Sequence, residues 1–321
     1  MYENMEMRAV FAQELGRLME ENENICCLDA DLSKANGTIG LRKKFPERAF
    51  DVGIAEQNMA SVAAGLASYG FIPFIGSFTA FASRRICDQI TISIAYAKSN
   101  VKIVGSDPGI GAELNGGTHM SFEDMGVLRS IPGMVLFEPA DAMQLAKALP
   151  QIVAYNGPVY MRMFRKIAPP VFTEDYVFDL MKADLLREGA DVSIFASGIM
   201  VTQALAAADQ LEQRGISAEV INLHTWKPLD SDAVLQSIRK TKCAVTCENH
   251  NITGGLFGAV SEVAAGAYPV PIEAIGIRDH FGEVGKMDFL KEKYHLTAED
   301  IVAAAVKAVG QKSILKISYV R

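Results

Sequence analysis

No stretch of this chain approaches 18 uninterrupted apolar residues, about the length a membrane-crossing helix needs. The nearest candidate, Val62–Phe78, is interrupted by Gly65, Gly70, Pro73 and Gly76. A basic leader is also missing. The opening MYENMEMRAVFAQEL is acidic and amphipathic, so the expectation is a soluble, cytoplasmic protein with no signal peptide. Positive charge is in short supply: 31 Lys and Arg stand against 38 Asp and Glu, a net charge of −7. That argues against the basic face through which nucleic acid is bound. It leaves cations to act locally, where an anionic substrate sits. Cysteine is scarce and odd in number, comprising Cys26, Cys27, Cys87, Cys243 and Cys247. Those in apolar runs read as buried, reduced thiols. Cys243 and Cys247 have a loose metal-ligand spacing, but no second pair accompanies them, and no metal ligand is expected in this chain.

What the chain does contain is a regular alternation. Its 321 residues suffice for about two domains of ordinary size. Short apolar runs at Ile25–Leu28, Phe50–Val52, Phe74–Ser77, Val101–Gly105, Met134–Glu138 and Val159–Met163 read as strands. Amphipathic stretches of helical length separate them at Met7–Glu20, Glu56–Ser68, Ala80–Ala97 and Ala140–Asn156. Strands spaced by helices mean βαβ units and a parallel sheet. Around Pro169-Pro170 the periodicity lapses, and it restarts near Asp184. Further strands are expected at Val192–Ala196, Ala218–Leu223, Ala244–Glu248 and Ile272–Ile277, with helices at Val201–Arg214, Ser231–Thr241, Leu256–Gly266 and Thr297–Val309. Thr297, with Asp300 three residues on, is a helix N-cap signal. The fold class is thus α/β, with two domains at 1–166 and 184–321, each a mostly parallel sheet with flanking helices, and a linker over 167–183.

Four segments carry candidate chemistry. In Asp51–Met59, Gly53 permits a sharp turn and Glu56 starts a helix whose following residues, Met59 to Ala67, are nearly all small and apolar. A carboxylate at a helix N-terminus can simply complement the dipole. A helix apolar on most faces, however, should be buried, which would withdraw Glu56 from water. In Gly76–Gln89, Phe78 and Phe81 stand three apart, followed by Arg84 and Arg85. They read either as core aromatics or as a stacking face for a planar heterocycle. Gly109–His119 is a glycine-rich loop beyond a strand's carboxyl end, where open α/β sheets bind ligands, and it ends in a histidine in a polar setting. In Tyr160–Arg165, alternation sets Arg162 apart from Met161 and Met163. Arg162 reads as an anion partner or a surface ion pair at a domain edge.

Together these segments resemble one family. Glu56-Gln57-Asn58-Met59, the Phe78/Phe81 block, Gly116-Gly117-Thr118-His119 with Phe122-Glu123-Asp124, Leu128–Met134 and Glu138–Asp141 are similar, in order and spacing, to the pyrimidine-binding domain of transketolases. Glu248-Asn249-His250-Asn251-Ile252-Thr253-Gly254-Gly255 resembles their C-terminal domain. The resemblance implies a cofactor, thiamine diphosphate, and a transfer of a two-carbon ketol unit from a ketose to an aldose. Glu56 would bond the aminopyrimidine ring nitrogen; Phe81, with Phe78, would line the ring; Leu32 would wedge the cofactor, with Asp31 beside it and Arg84 nearby. His119 would bond the ketose oxygens, and Arg8 and Arg165 would hold the sugar's anionic tail. Asn115, Ser106 and Ala35 stand where the family carries other polar groups, so the anion is left open between phosphate and sulfonate, and a specialised sugar is possible.

A complete transketolase also needs a diphosphate-binding domain marked by Gly-Asp-Gly, which places a metal on the diphosphate. That tripeptide occurs nowhere here. The resemblance therefore implies the C-terminal subunit of a split enzyme, paired in an α2β2 heterotetramer with an N-terminal subunit that holds the diphosphate and its Mg2+ or Ca2+. One rival is the β subunit of a 2-oxo acid dehydrogenase, which has a similar two-domain layout; the Gly116–His119 loop and the Arg129–Met134 run argue against it. Another is a catalytically degenerate scaffold, against which Glu56 and His119 stand.

Overall fold

The computed structural model of the chain describes residues 2 and 4–318. Its strands are β1 (Ile25–Asp29), β2 (Ala49–Asp51), β3 (Ile72–Phe78), β4 (Lys102–Ser106), β5 (Val135–Phe137), β6 (Val159–Met163), β7 (Asp184–Arg187), β8 (Val192–Ala196), β9 (Ala218–Asn222), β10 (Thr225–Lys227), β11 (Ala244–Asn251) and β12 (Ile272–Ile277). They form two sheets, ordered β10-β5-β6-β4-β3-β1-β2 and β12-β11-β8-β9-β7. Every pairing is parallel except β10 with β5 and β7 with β9. The α/β architecture expected from the alternation is present. Strands β1, β4, β6, β8 and β9 are buried at every position, as continuous apolar runs between two helix layers must be. The Thr297 cap also forms: Thr297 Oγ1 accepts from the Asp300 amide at 3.3 Å, and the Asp300 carboxylate accepts from the Thr297 amide at 3.1 Å.

Four expectations need correction. The stretch Ala80–Ala97 is no single α-helix: it passes from a 3-10 turn at Arg84–Ile86 through a short α turn into a π-helix at Ile90–Tyr96. The short strand β10 has no counterpart among the expected strands, and it crosses over to extend the first sheet, burying Trp226. The helix Glu56–Ser68 is buried only along Glu56, Met59, Ala60 and Ala63, because no described residue covers its other side; Val62 is 38% exposed. Finally, Arg162 is neither at a domain edge nor free for an anion. Its side chain is fully buried, with Nε donating to Asp124 Oδ2 at 2.9 Å and Nη1 to Glu138 Oε1 at 2.6 Å. Nη2 donates to the Asn249 carbonyl at 2.8 Å, so the cluster ties the first sheet to the end of β11.

A second buried tie crosses the carboxyl ends of β1 and β4. The Asp29 carboxylate accepts from Thr38 Oγ1 at 2.5 Å and Asn36 Nδ2 at 2.9 Å, and Asn36 Oδ1 accepts from Ser106 Oγ at 2.8 Å. Gly76 of β3 makes room for it, since a Cβ there would meet Asn36 Nδ2 at 2.9 Å.

These ties carry two expectations. Arg162→Met strands two buried carboxylates, and the chain should lose about 3–5 kcal/mol of unfolding free energy in denaturant titrations. A loss below about 1 kcal/mol would contradict the network's role. Burial raises the Asp29 carboxyl to about 6, against the opposing pull of its Thr38 and Asn36 donors. An unfolded Asp titrates near 3.9, so the folded chain keeps a proton that the unfolded chain has released. The stability tied to it is full below that lower value and is lost as pH rises through about 6. Between about pH 4 and about pH 7, wild type should therefore lose about 2 kcal/mol relative to Asp29→Asn. Parallel stability–pH curves for the two proteins would refute this.

Candidate active site

The loops leaving β1, β2, β3, β4 and β6 at their carboxyl ends gather the residues singled out above, as the crevice rule for parallel sheets predicts. After β2 the chain turns sharply at Gly53, at φ 74°, and enters the helix Glu56–Ser68. Asp51 pins this turn. Its Oδ1 accepts from the amides of Gly53 and of Asp31, both at 2.9 Å, and its Oδ2 from Arg42 Nη1 at 3.0 Å. Asp31, itself in the left-handed region at φ 60°, and Leu32 are thereby fixed beside the Glu56 turn. Asp51 is a site-building residue that no motif in the sequence singles out.

Glu56 is 4% exposed and accepts from Arg85 Nη1 at 3.0 Å. The same guanidinium lies 3.9 Å from the centroid of the Phe81 ring. His119 also packs on this ring, its imidazole in T-shaped contact with Phe81 at 5.2 Å and with Phe78 at 5.7 Å between centroids. His119 Nδ1 shares a hydrogen bond with Thr118 Oγ1 at 2.9 Å. Ala80, Phe81, Arg84, Arg85, Thr118 and His119 line one open depression of about 520 Å³. The aromatic face and the imidazole thus meet at one mouth, and the buried acid Glu56 reaches it through Arg85. Arg84 does something other than expected: it donates to Glu123 Oε1 at 2.5 Å and to the Thr118 carbonyl at 3.2 Å, tethering the histidine loop. The arginine in contact with the acid and the ring is Arg85.

The histidine loop is shaped from the second sheet. Asn249, fully buried, accepts from the Ile110 amide at 3.0 Å and donates to the Pro108 carbonyl at 2.9 Å. The backbone passes so close that a Cβ on Gly109, at φ 52°, would meet Asn249 Oδ1 at 2.2 Å. Farther along, a Cβ on Gly117 would meet the Gly282 carbonyl oxygen at 2.2 Å. Asn115 lies exposed between these two anchors.

Arg8 and Arg165 form a second cluster. The Arg8 amide donates to the Arg165 carbonyl at 3.1 Å, and Arg8 Nη1 donates to the Ala35 carbonyl at 3.4 Å. Each guanidinium has its own carboxylate: Glu6 at 2.7 Å from Arg8 Nε, and Asp107 at 2.6 Å from Arg165 Nε. Burial pushes Asp107 up to about 6, with Arg165 and Lys166 pulling against it. Arg165 also lies over Phe78 at 5.4 Å from the ring centroid, which joins this cluster to the aromatic mouth. Ser106 is placed differently from its expected role. Its hydroxyl is fully buried and turned to Asn36, beneath the floor of the site. Among the described residues, no group of three or more His, Cys, Asp or Glu could hold a metal. All five cysteines are free thiols, and no described helix is long and apolar enough to cross a membrane.

Comparison with known proteins fits this geometry. Residues 3–170 match the transketolase pyrimidine binding domain and residues 181–301 the transketolase C-terminal domain. The chain is 53% identical over 307 residues to the 6-deoxy-6-sulfo-D-fructose transketolase subunit SqwH of Clostridium sp. (strain MSTE9), covering 96% of this chain and 95% of that one. It is 34% identical over 304 residues to an apulose-4-phosphate transketolase subunit of Phocaeicola vulgatus, covering 94% and 97%. Among solved structures, a split-gene transketolase described as an inactive beta4 tetramer superposes with a TM-score of 0.88 at 42% identity, covering 96% of this chain and 99% of that one. The chain belongs to the transketolase family, as the C-terminal subunit of a split, thiamine-diphosphate-dependent enzyme.

Proposed function

We propose that Glu56, Phe81 and His119 form the pyrimidine and ketose half of an active site completed by an N-terminal subunit. That subunit would hold the diphosphate and its Mg2+ or Ca2+, and two such pairs would form an α2β2 assembly. The observation that carries this reading is that one guanidinium, Arg85, joins a buried carboxylate at 3.0 Å to an aromatic ring 3.9 Å away, with an imidazole 5.2 Å from that ring. The residues fit an aminopyrimidine: a ring on Phe81 would present its nitrogen edge to Glu56 at the helix N-terminus. Bound thiamine diphosphate supplies the carbanion chemistry that a protein side chain lacks. The chain's own work is to orient the ring, exchange a proton with its nitrogen through Glu56, and donate hydrogen bonds from His119 to oxygen where charge develops. The exposed side of the helix Glu56–Ser68 supports a partner, because Ile54 is 76% exposed next to its start and Ile92 and Tyr96, on the neighbouring π-helix, are 55% and 82% exposed. Apolar surface of that kind marks a protein contact.

The donor we infer is a ketose ending in a sulfonate, as in the name of the 53% identical relative. Each tail arginine already faces a carboxylate, so the local field is close to balanced. Desolvation cost grows with the square of the charge, so such a site favours a monoanion over a dianionic phosphate. The name of the Phocaeicola relative supports the phosphate reading as the alternative.

Mixed with a Gly-Asp-Gly-bearing partner, the chain should transfer ketol units from sugar to sugar in a thiamine-diphosphate-dependent assay, with no oxo-acid-dependent reduction of an acceptor. Glu56→Ala should lower kcat at least about 100-fold, and full turnover by that variant would sink the assignment. In the same assay, kcat/KM for a 6-sulfo ketose should exceed that for the matching 6-phosphate by about 10-fold or more, a difference of about 1.4 kcal/mol. The opposite order would assign the tail site to phosphate.

A further inference from the structure

One side chain occupies both contacts that the reading above gives to the aminopyrimidine. Arg85 Nη1 donates to Glu56 Oε1 at 3.0 Å while its guanidinium stacks 3.9 Å from the Phe81 centroid. Gln57 Nε2 donates to the Arg85 carbonyl at 3.3 Å, anchoring the backbone from the adjoining helix turn. A guanidinium is planar and delocalised and carries donors in its plane, so it satisfies an aromatic face and a carboxylate edge at once. An aminopyrimidine has the same two needs. The two groups cannot share one ring face and one carboxylate oxygen.

We propose that Arg85 is a displaceable cap on the pyrimidine site, one that sets the affinity of this subunit for the cofactor's ring. The proposal rests on the assignment of Glu56 and Phe81 to the pyrimidine. Glu56 is buried, and a buried charge needs an answering group. Arg85 supplies it until the ring arrives, and then swings outward. Its side chain is 43% exposed, so solvent is open to it without any change in the core. Arg84 cannot substitute, because its guanidinium is committed to Glu123 and to the Thr118 carbonyl. The ring's arrival breaks one ion pair and returns Arg85, still charged, to water; because a carboxylate and a bare ring nitrogen are both acceptors, the new bond between Glu56 and the ring forms with uptake of one proton from solvent.

The test is equilibrium binding of thiamine diphosphate to the full chain alone, followed by calorimetry. Arg85→Ala is expected to bind at least about 5-fold more tightly than wild type, and Arg85→Lys, which keeps the charge but loses the planar stack, in between. Arg84→Ala serves as the control for loss of a nearby positive charge and should not tighten binding. Circular dichroism would confirm that each variant is folded. Unchanged or weaker binding by Arg85→Ala overturns the cap; weaker binding would instead make Arg85 a residue that holds the cofactor. The two ideas fail separately. If turnover with the partner subunit depends on Glu56 while Arg85→Ala binds no more tightly, only the cap is lost. If turnover ignores Glu56, the site assignment falls, and the cap with it.

Discussion

A guanidinium sealed from water is tolerable only while its charge is answered where it stands, and Arg162 is answered from several sides. Asp124 and Glu138 take its Nε and Nη1, while the Asn249 carbonyl takes Nη2. The acids are occupied in turn: Tyr160 donates to Asp124 at 2.8 Å and Ser197 to Glu138 at 2.6 Å. Those partners come from β6, the helix Asp124–Arg129, the loop after β5, the end of β8 and the end of β11. One side chain therefore gathers groups from both sheets at the place where they meet. The charge is kept low around it, because burial pushes the neighbouring Glu248 carboxyl up to about 8 and His250 down to about 4. Both groups are thus biased toward their neutral forms, which keeps further buried charge away from the cluster.

The placement of the active-site loop follows from that junction. Asn249 sits one residue beyond Glu248 and two before Asn251, whose amide donates to the Phe122 carbonyl at 2.8 Å. The histidine loop is thus clamped at Pro108–Ile110 and again at Phe122, with His119 between the clamps. The second sheet contributes no atom to the acid or the aromatic face, yet it decides the path of the loop that carries the imidazole. A loop held at both ends by backbone groups is pre-organised, and pre-organisation is what hydrogen-bond donation to a developing charge requires.

The periodic features are readable from the amino-acid order alone. Strand β6 and the helix Ser231–Thr241 fall where hydrophobic alternation puts them, because their burial is set within the chain. Glu56, Phe81 and His119 are legible through motif spacing, and the structure gathers them. Other features depend on direction rather than spacing. Arg84 and Arg85 are adjacent, and only the turn from a 3-10 segment into a π-helix decides which one reaches Phe81. A continuous α-helix, the expected element, would aim them differently. Asp107 carries no sequence signal because its role comes from a left-handed backbone at φ 55° that brings it to Arg165. Arg162 is misplaced by sequence reasoning because nothing in a strand's alternation shows that its polar face meets a second domain. The helix Glu56–Ser68 has a composition that suits burial on most faces; the surface that would cover its outer side is not among the described residues.

That last mismatch bears on why the buried acid Glu56 sits where it does. Glu56 is the first residue of a helix whose outward residues include Val62 and Gly65, and a Cβ on Gly65 would meet nothing within 4 Å. The acid and the exposed apolar side share one rigid rod, with the acid at the end nearest the aromatic mouth. A partner that covers this side buries apolar surface, worth about 25 cal/mol for each Å² removed from water. It also lowers the water content around the helix start. Both effects act through the same element, so association and drying of the site cannot be separated. Electrostatic contacts strengthen as water leaves, which means the bond proposed between Glu56 and a ring nitrogen should gain most of its strength only once the second chain is in place. A half-site built this way orders its residues in advance and leaves the final gain in contact strength to assembly.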